Sequence, residues 1–272
     1  MILRSYHNHT TFCDGKNSVE EMVQAAIGAG MHAFGISSHA TFPYDLRYCI
    51  QPGAEAGYAA QVNACKEKYA DQIEIYLGVE AEMYGVKPTF ARDYTIGATH
   101  YMKKDGEFYY IDYSEKDLRK TIRKVFGGDP YRMTAYYYQT VAEYPRYMDF
   151  DFVAHFDLVT KFNEGGKLFD EDDPRYWKPA LEVMEHLSGK GYAFEINTGA
   201  ISRGYRTKPY PNVRFLRALK EFGGSIVFGC DSHNVNTVSS YLPEAMELAK
   251  HCGFRTHRIL TPNGWQEAGI GE

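Results

Sequence analysis

Residues 2–9 read Ile2-Leu3-Arg4-Ser5-Tyr6-His7-Asn8-His9, a short, largely apolar run that stops abruptly on a histidine. An ending on a histidine or a carboxylate recurs six more times along the chain. Ala33 to Ser38 precedes His39, Ile73 to Val79 precedes Glu80, and Tyr94 to Thr99 precedes His100. Phe150 to Ala154 precedes His155, Tyr192 to Phe194 precedes Glu195, and Ile226 to Cys230 precedes Asp231. Runs of this length, rich in β-branched and aromatic residues and separated by helix-like segments, read as buried parallel strands. In a barrel of parallel strands each strand delivers its last residue to one face, so the polar endings are expected to converge there.

The intervening segments support an α/β order. Ser18 is placed to cap a helix with Glu20 and Glu21 in its first turn, with Met22, Val23, Ala26 and Ile27 at helical spacing and Gly30 closing it. Helical patterns follow at Glu55 to Tyr69, Pro174 to Ser188, Pro211 to Phe222 and Leu242 to His251. Repeated βα units require parallel strands with right-handed crossovers. One departure stands out, at about residues 101–149. Lys103-Lys104-Asp105-Gly106 reads as a turn between two short strands, and helical patterns span Glu115 to Phe126 and Tyr131 to Tyr147. This insertion is expected to cover the mouth of the site. The Tyr136-Tyr137-Tyr138 run is read as packing.

At 272 residues and 44% hydrophobic, the chain suits one domain, 1–272. Its formal net charge of -5, with no Lys/Arg block, disfavours a stable nucleic-acid partner. The five cysteines include no Cys-x-x-Cys pair, which speaks against both a disulfide framework and a zinc ribbon. Met1 leads straight into the first strand, and no apolar stretch approaches membrane-spanning length. The expectation is a cytoplasmic protein without a membrane partner, homo-oligomerisation being left open.

His7 and His9 form a His-x-His pair, which by itself is as well explained by a polar strand edge as by a metal. Asp14 alone would be an ordinary turn aspartate. With His39, Glu80, His100, His155, Asp231 and His233 at further run endings, the number of coincidences favours a metalloenzyme. Imidazoles and carboxylates without thiolates suit zinc, iron or manganese. Cys13 and Cys230 adjoin these positions and are read as structural; His32, His186, His251 and His257 fall outside the pattern and are read as solvated or capping.

His7-Asn8-His9, Ser38-His39, Gly78-Val79-Glu80, Thr99-His100, Ala154-His155 and Asp231-Ser232-His233 resemble the motifs of the polymerase and histidinol phosphatase (PHP) superfamily. Glu195-Ile196-Asn197-Thr198-Gly199 and the His155-Phe156-Asp157-Leu158-Val159 segment are most similar to its histidinol-phosphate phosphatases. The resemblance implies an α/β fold, a distorted seven-stranded (β/α) barrel of PHP type with three divalent metal ions. One ion would take His7, His9, Glu80 and Asp231, a second Glu80, His100 and His155, and a third Asp14, His39 and His233. Glu80 is the expected bridge and Glu82 its rival. Glu195 matches no family ligand and is expected to orient one.

Such ions make water nucleophilic near neutral pH and clamp phosphoryl oxygens, so phosphoester hydrolysis is expected, with Asp231, His233 and Arg203 as catalytic positions. Arg203 resembles the family's phosphate-binding arginine, Lys161 is a second donor, and Asn197 a further substrate contact. Phe12, Phe42, Tyr44 and Tyr101 are candidates to line the pocket. The substrate implied is a small phosphate ester, L-histidinol phosphate, cleaved in histidine biosynthesis. The alternatives are a PHP-type phosphoesterase acting on nucleotides or other small phosphates, a metal-dependent C–N hydrolase, and a metal-stabilised regulatory protein.

Overall fold

The computed structural model describes residues 1–271. Two parallel sheets form its centre. One is ordered β1-β2-β3, from Leu3–Ser5, Met31–Ile36 and Glu74–Leu77. The other runs β10-β9-β8-β5-β4, where β4 is Glu80–Glu82, β5 Ile96–Ala98, β8 Phe152–Val153, β9 Ala193–Asn197 and β10 Ile226–Gly229. These are eight parallel strands in two sheets, where seven in one barrel were expected.

The extra strand comes from the third apolar run, which divides at Gly78-Val79 and changes partner from β2 to β5. The ring of Tyr94 occupies the space where a side chain on residue 78 would stand. The Tyr58 hydroxyl lies 2.9 Å from the carbonyl of Ile36 and 2.8 Å from that of Gly78. The sheets meet at both ends, through an isolated parallel bridge between His39 and Glu80 and another between Asn8 and Ser232, where the His9 amide donates to the Ser232 carbonyl at 2.8 Å.

Helices α1 (Val19–Gly28), α2 (Glu55–Lys68), α5 (Pro174–Gly189), α7 (Val213–Glu221) and α8 (Leu242–His251) follow the expected order, joined by α3 (Glu115–Val125), α4 (Pro130–Glu143) and the short α6 (Gly199–Ser202). Local chemistry sets their ends. Ser18 and Glu21 form a reciprocal capping box on α1. α7 begins at Val213, later than the sequence pattern suggests, because the Asn212 side chain accepts from the Phe215 amide and takes the cap. α4 gives way after Glu143 to a tight turn, Tyr144–Arg146, containing Pro145, which has no N–H to donate.

Strand residues alternate between two cores. Phe34, Ile36, Leu77 and Phe228 pack against the helices. Tyr6, Ala33, Tyr94, Ile96 and Val227 face a second cluster, which Leu260 and Trp265 join from an antiparallel hairpin that sequence reasoning did not foresee, β11 (Thr256–Thr261) and β12 (Gly264–Gly269).

Between β5 and β8, β6 (Tyr101–Lys104) and β7 (Glu107–Tyr110) form the expected hairpin, with positive φ at Asp105 (54°) and Gly106 (85°), as a two-residue turn of this hand requires. α4 packs against α5 in the helical layer, where the Tyr137 hydroxyl donates to the Phe156 carbonyl and the Tyr138 and Tyr176 hydroxyls pair. It thus serves as the crossover between β5 and β8. Among the described residues no helix is long and apolar enough to cross a membrane.

Candidate metal centre

Glu80 stands at the middle of the converging side chains and is almost wholly buried. Its Oε1 lies 2.9 Å from His155 Nε2 and 3.5 Å from His100 Nε2. Its Oε2 lies 2.9 Å from His39 Nδ1, 3.2 Å from His7 Nε2 and 3.5 Å from His9 Nε2. Asp231 Oδ1 approaches His9 Nε2 at 3.3 Å and His7 Nε2 at 3.9 Å. Asp14, on the exposed side, reaches His233 Nε2 at 3.3 Å and His39 Nε2 at 3.8 Å.

All nine residues singled out from the sequence therefore fall into overlapping groups able to hold a cation: His9-Asp14-His39-His233, His7-Glu80-His155, His7-His9-Asp231 and His39-Glu80-His100. His9 joins the Asp14 group as well, so the groups are less separate than the ligand sets implied by resemblance. Glu80 and Glu82, expected rivals for the bridge, have different partners. Glu82 sits behind His100, accepting from its backbone amide at 2.8 Å and from its Nδ1 at 3.0 Å.

The geometry fits bound cations. His7 Nε2, His9 Nε2, Glu80 Oε2 and His155 Nδ1 are buried without a hydrogen-bond partner, and buried polar atoms of a folded protein rarely stay unsatisfied. Electrostatics agree. Burial would raise the Glu80 carboxyl, but His39, His7 and His100 outweigh it and hold it well below the usual carboxylate range. Burial, with His233 and His39 nearby, pushes His9 down to about 3, leaving it a neutral imidazole. His100 is moved the other way, to about 10, because Glu80 and Glu82 overcome its burial.

The atoms behind these ligands are also specified. Glu195 was expected at a strand end but lies inside β9, fully buried. Its Oε1 accepts from His7 Nδ1 at 2.8 Å, and its Oε2 accepts from the His155 amide at 3.0 Å and from Asn197 Nδ2 at 2.9 Å. This is the orienting role expected of it. Cys13 Sγ lies 3.4 Å from His9 Nδ1, so this cysteine backs a ligand candidate, while Cys230 is buried and away from the cluster's donor atoms.

Arg203, brought round by α6, donates from Nη1 to the Asp231 carbonyl at 2.8 Å and from Nη2 to Asp231 Oδ2 at 2.8 Å, with Nη1 3.0 Å from His233 Nδ1. Gly199 leaves room for this arrangement, since a Cβ there would lie 2.8 Å from Asp231 and 2.9 Å from Arg203. Asp231 itself holds a left-handed backbone, φ 48°, a strained conformation for a non-glycine residue and one that collects at functional sites.

Arg203 and Lys161 line a cavity of about 450 Å³ above the cluster, together with Asp14, His39, Glu80, His100, His155, Asp231 and His233. Lys161 Nζ donates to the Asp112 carbonyl at 2.9 Å and to its Oδ2 at 3.0 Å. Asn197 does not reach the cavity. It is fully buried, its amide nitrogen bonded to Glu195 and 3.4 Å from Asp231 Oδ2, and its oxygen bonded to the Gly199 amide. It supports the site from behind. Of the aromatic candidates, Tyr101 lines the cavity; Phe42 is buried against Cys49 and Tyr101, Phe12 packs on Tyr58, and Tyr44 is exposed.

Sequence reasoning missed Asp45, Arg47, Tyr48, Tyr110, Asp112, Tyr113 and Tyr205, which with Leu158 complete the wall. They sit on loops and the hairpin, where no run ending marks them. The excluded histidines do lie elsewhere. His32, His186 and His251 are exposed. His257, however, is neither solvated nor a cap: it is buried beside Phe228, with neither ring nitrogen bonded.

The family described as "PHP domain" matches residues 5–199. A protein of Deinococcus radiodurans named "Probable histidinol-phosphatase" is 29% identical over 277 aligned positions, covering 94% of this chain and 97% of that one. A Schizosaccharomyces pombe protein of the same name is 25% identical over 272 positions, covering 92% and 86%. Histidinol phosphate phosphatase of Lactococcus lactis, solved with zinc, L-histidinol and phosphate, is similar in fold, with a TM-score of 0.71 at 20% identity, covering 97% of this chain and 98% of that one.

Proposed function

The chain belongs to the PHP domain family, and from that premise we propose that it is a metal-dependent phosphatase hydrolysing L-histidinol phosphate to L-histidinol and inorganic phosphate, a step of histidine biosynthesis in the cytoplasm. The observation that carries the reading is the convergence of nine imidazole and carboxylate side chains, seven of which line a cavity that Arg203 and Lys161 also line. The names of the full-length relatives support the substrate.

In this reading three ions, of zinc, iron or manganese, would be held by His7, His9, Glu80 and Asp231, by Glu80, His100 and His155, and by Asp14, His39 and His233. When bound, such ions lower the pKa of water and offset phosphoryl charge. Arg203 presents a guanidinium that stays protonated, since Asp231 outweighs its burial, and its planar fork suits phosphoryl oxygens. Asp231 and His233, which it touches, share the catalytic end of the cavity. Water oxygen joins phosphorus, the P–O ester bond breaks, and the alkoxide takes up the proton that the attacking water gives up, leaving as histidinol. The enzyme is read as one unit, 1–272, whose two sheets close into a distorted (β/α) barrel of PHP type with 101–149 inserted.

The test is phosphate release from L-histidinol phosphate beside nucleotides and sugar phosphates, on protein of measured metal content. A kcat/KM for histidinol phosphate at least a hundredfold above the others is expected. Selective release from nucleotides would overturn the substrate and keep the chemistry.

A further inference from the structure

Five carboxylates line the cavity, and four are already engaged. Glu80, Asp231 and Asp14 face the histidines. Asp45 is spent on the wall: it accepts from Arg47 Nε at 2.7 Å and Nη2 at 2.5 Å, and from the Tyr101 and Tyr110 hydroxyls at 3.1 Å and 3.2 Å. The fifth, Asp112, has Lys161 as its one side-chain partner among the described residues, at Oδ2.

Both members of this pair stand next to the ligand cluster. The Ile111 amide donates to the His100 carbonyl at 2.9 Å, which sets Asp112 beside one ligand candidate. Lys161 follows the turn that leaves His155, where the Leu158 amide donates to the His155 carbonyl at 2.8 Å. The Asp112 side chain is 25% exposed and the Lys161 side chain 14%, so both are largely withdrawn from water while lining the cavity.

We propose that Asp112 is the specificity-determining carboxylate of this enzyme, receiving the ammonium of an amino-alcohol phosphate while Lys161 turns from it to the phosphoryl oxygens. The inference rests on the phosphatase reading above and goes further in naming what selects the alcohol. Its force comes from charge pairing. A phosphate dianion entering the cavity draws Lys161 away, and a carboxylate left alone in a partly dry site is costly. An ester carrying its own ammonium close to the ester oxygen replaces the lost partner, so every charge stays paired. An ester without an amine strands Asp112, and the site discriminates against it.

The experiment compares L-histidinol phosphate with the phosphate ester of 3-(imidazol-4-yl)propan-1-ol, which lacks only the amine, on metal-loaded wild-type and Asp112→Asn enzyme. Wild type is expected to favour the amine-bearing ester in kcat/KM by about 10- to 100-fold, the scale of one hydrogen bond to a charged group, chiefly through KM. In Asp112→Asn that preference collapses to within a few-fold. If both esters lose activity in equal proportion and the preference survives, Asp112 only positions Lys161 and the assignment is overturned.

Should the variant misfold, inhibition of wild type by histidinol and by the amine-free alcohol decides the matter, since equal inhibition constants in the presence of phosphate contradict the proposal. If wild type cleaves other monoesters but not histidinol phosphate, the substrate reading falls by itself. Ethanolamine phosphate against ethyl phosphate then tests Asp112, absence of an amine preference overturning it.

Discussion

Glu195 does not itself line the cavity, yet its two oxygens hold His7 by the ring and His155 by the backbone. Replacement by glutamine keeps the shape and removes the charge that fixes the His7 tautomer. Partners of this kind contribute about 10- to 100-fold in metal affinity or activity. Glu195→Gln is therefore expected to lose metal at a tenfold or more lower chelator concentration than wild type, as read by metal content after dialysis.

His257 gives a second residue-scale expectation. Burial and the neighbouring Arg4 push its pKa down to about 4, against about 6.5 when unfolded. The unfolded chain thus binds more protons between these values. Stability from this group is complete above pH 6.5 and is lost as pH falls toward 4, by roughly 3 kcal/mol at 1.36 kcal/mol per pH unit. In urea denaturation of chelated protein, His257→Phe should unfold with a shallower loss of stability over that pH window. An unchanged slope would show that the ring carries no such penalty.

At the level of elements, β10 supports β9 through a missing side chain. A Cβ on Gly229 would run into Glu195 Oε1 and approach the His7 side chain. Gly229→Ala should therefore displace Glu195 and reproduce the metal loss of Glu195→Gln with a lower thermal midpoint, since overpacking costs about 1–3 kcal/mol. Asp45 acts similarly for the cavity wall, tying the loop at 45–48 to the β6–β7 hairpin through Arg47, Tyr101 and Tyr110. Asp45→Ala is expected to raise KM severalfold with metal content unchanged, and a drop in kcat alone would contradict this.

The element order was legible where local signals mark the ends of elements: Ser18 and Glu21 on α1, the Asp173 cap with Pro174 on α5, and Asp105-Gly106 between β6 and β7. The break at Gly78 was not. It depends on Tyr94, which is remote in sequence, crossing the strand there.

For the whole molecule, the cluster concentrates charged and polar groups where folding would otherwise favour apolar contact. Ions that bind the folded chain and not the unfolded one add RT ln(1 + [L]/Kd), about 2.7 kcal/mol at a hundredfold excess over Kd. Chelation should lower the thermal midpoint by several degrees, and zinc or manganese should restore it. A midpoint indifferent to chelator would mean that the cluster does not hold ions in the folded protein.

The sequence by itself singled out the candidate metal-binding set, because His7, His39, Glu80, His100, His155 and Asp231 each end a short apolar run, with His9 and His233 two residues beyond such an ending, and a strand's end is a local property. It also determined the α/β order and the orienting part of Glu195. Only the tertiary structure decided which partners these groups meet. His7 and Glu195 are 188 residues apart, and Asp112 and Lys161 are 49 apart. Contacts over such separations leave no periodicity in the chain, so the division of the strands into two sheets, the place of α4 among the helices, the withdrawal of Asn197 from the cavity and the Asp112–Lys161 pair appear only once the packed sheets bring those segments together.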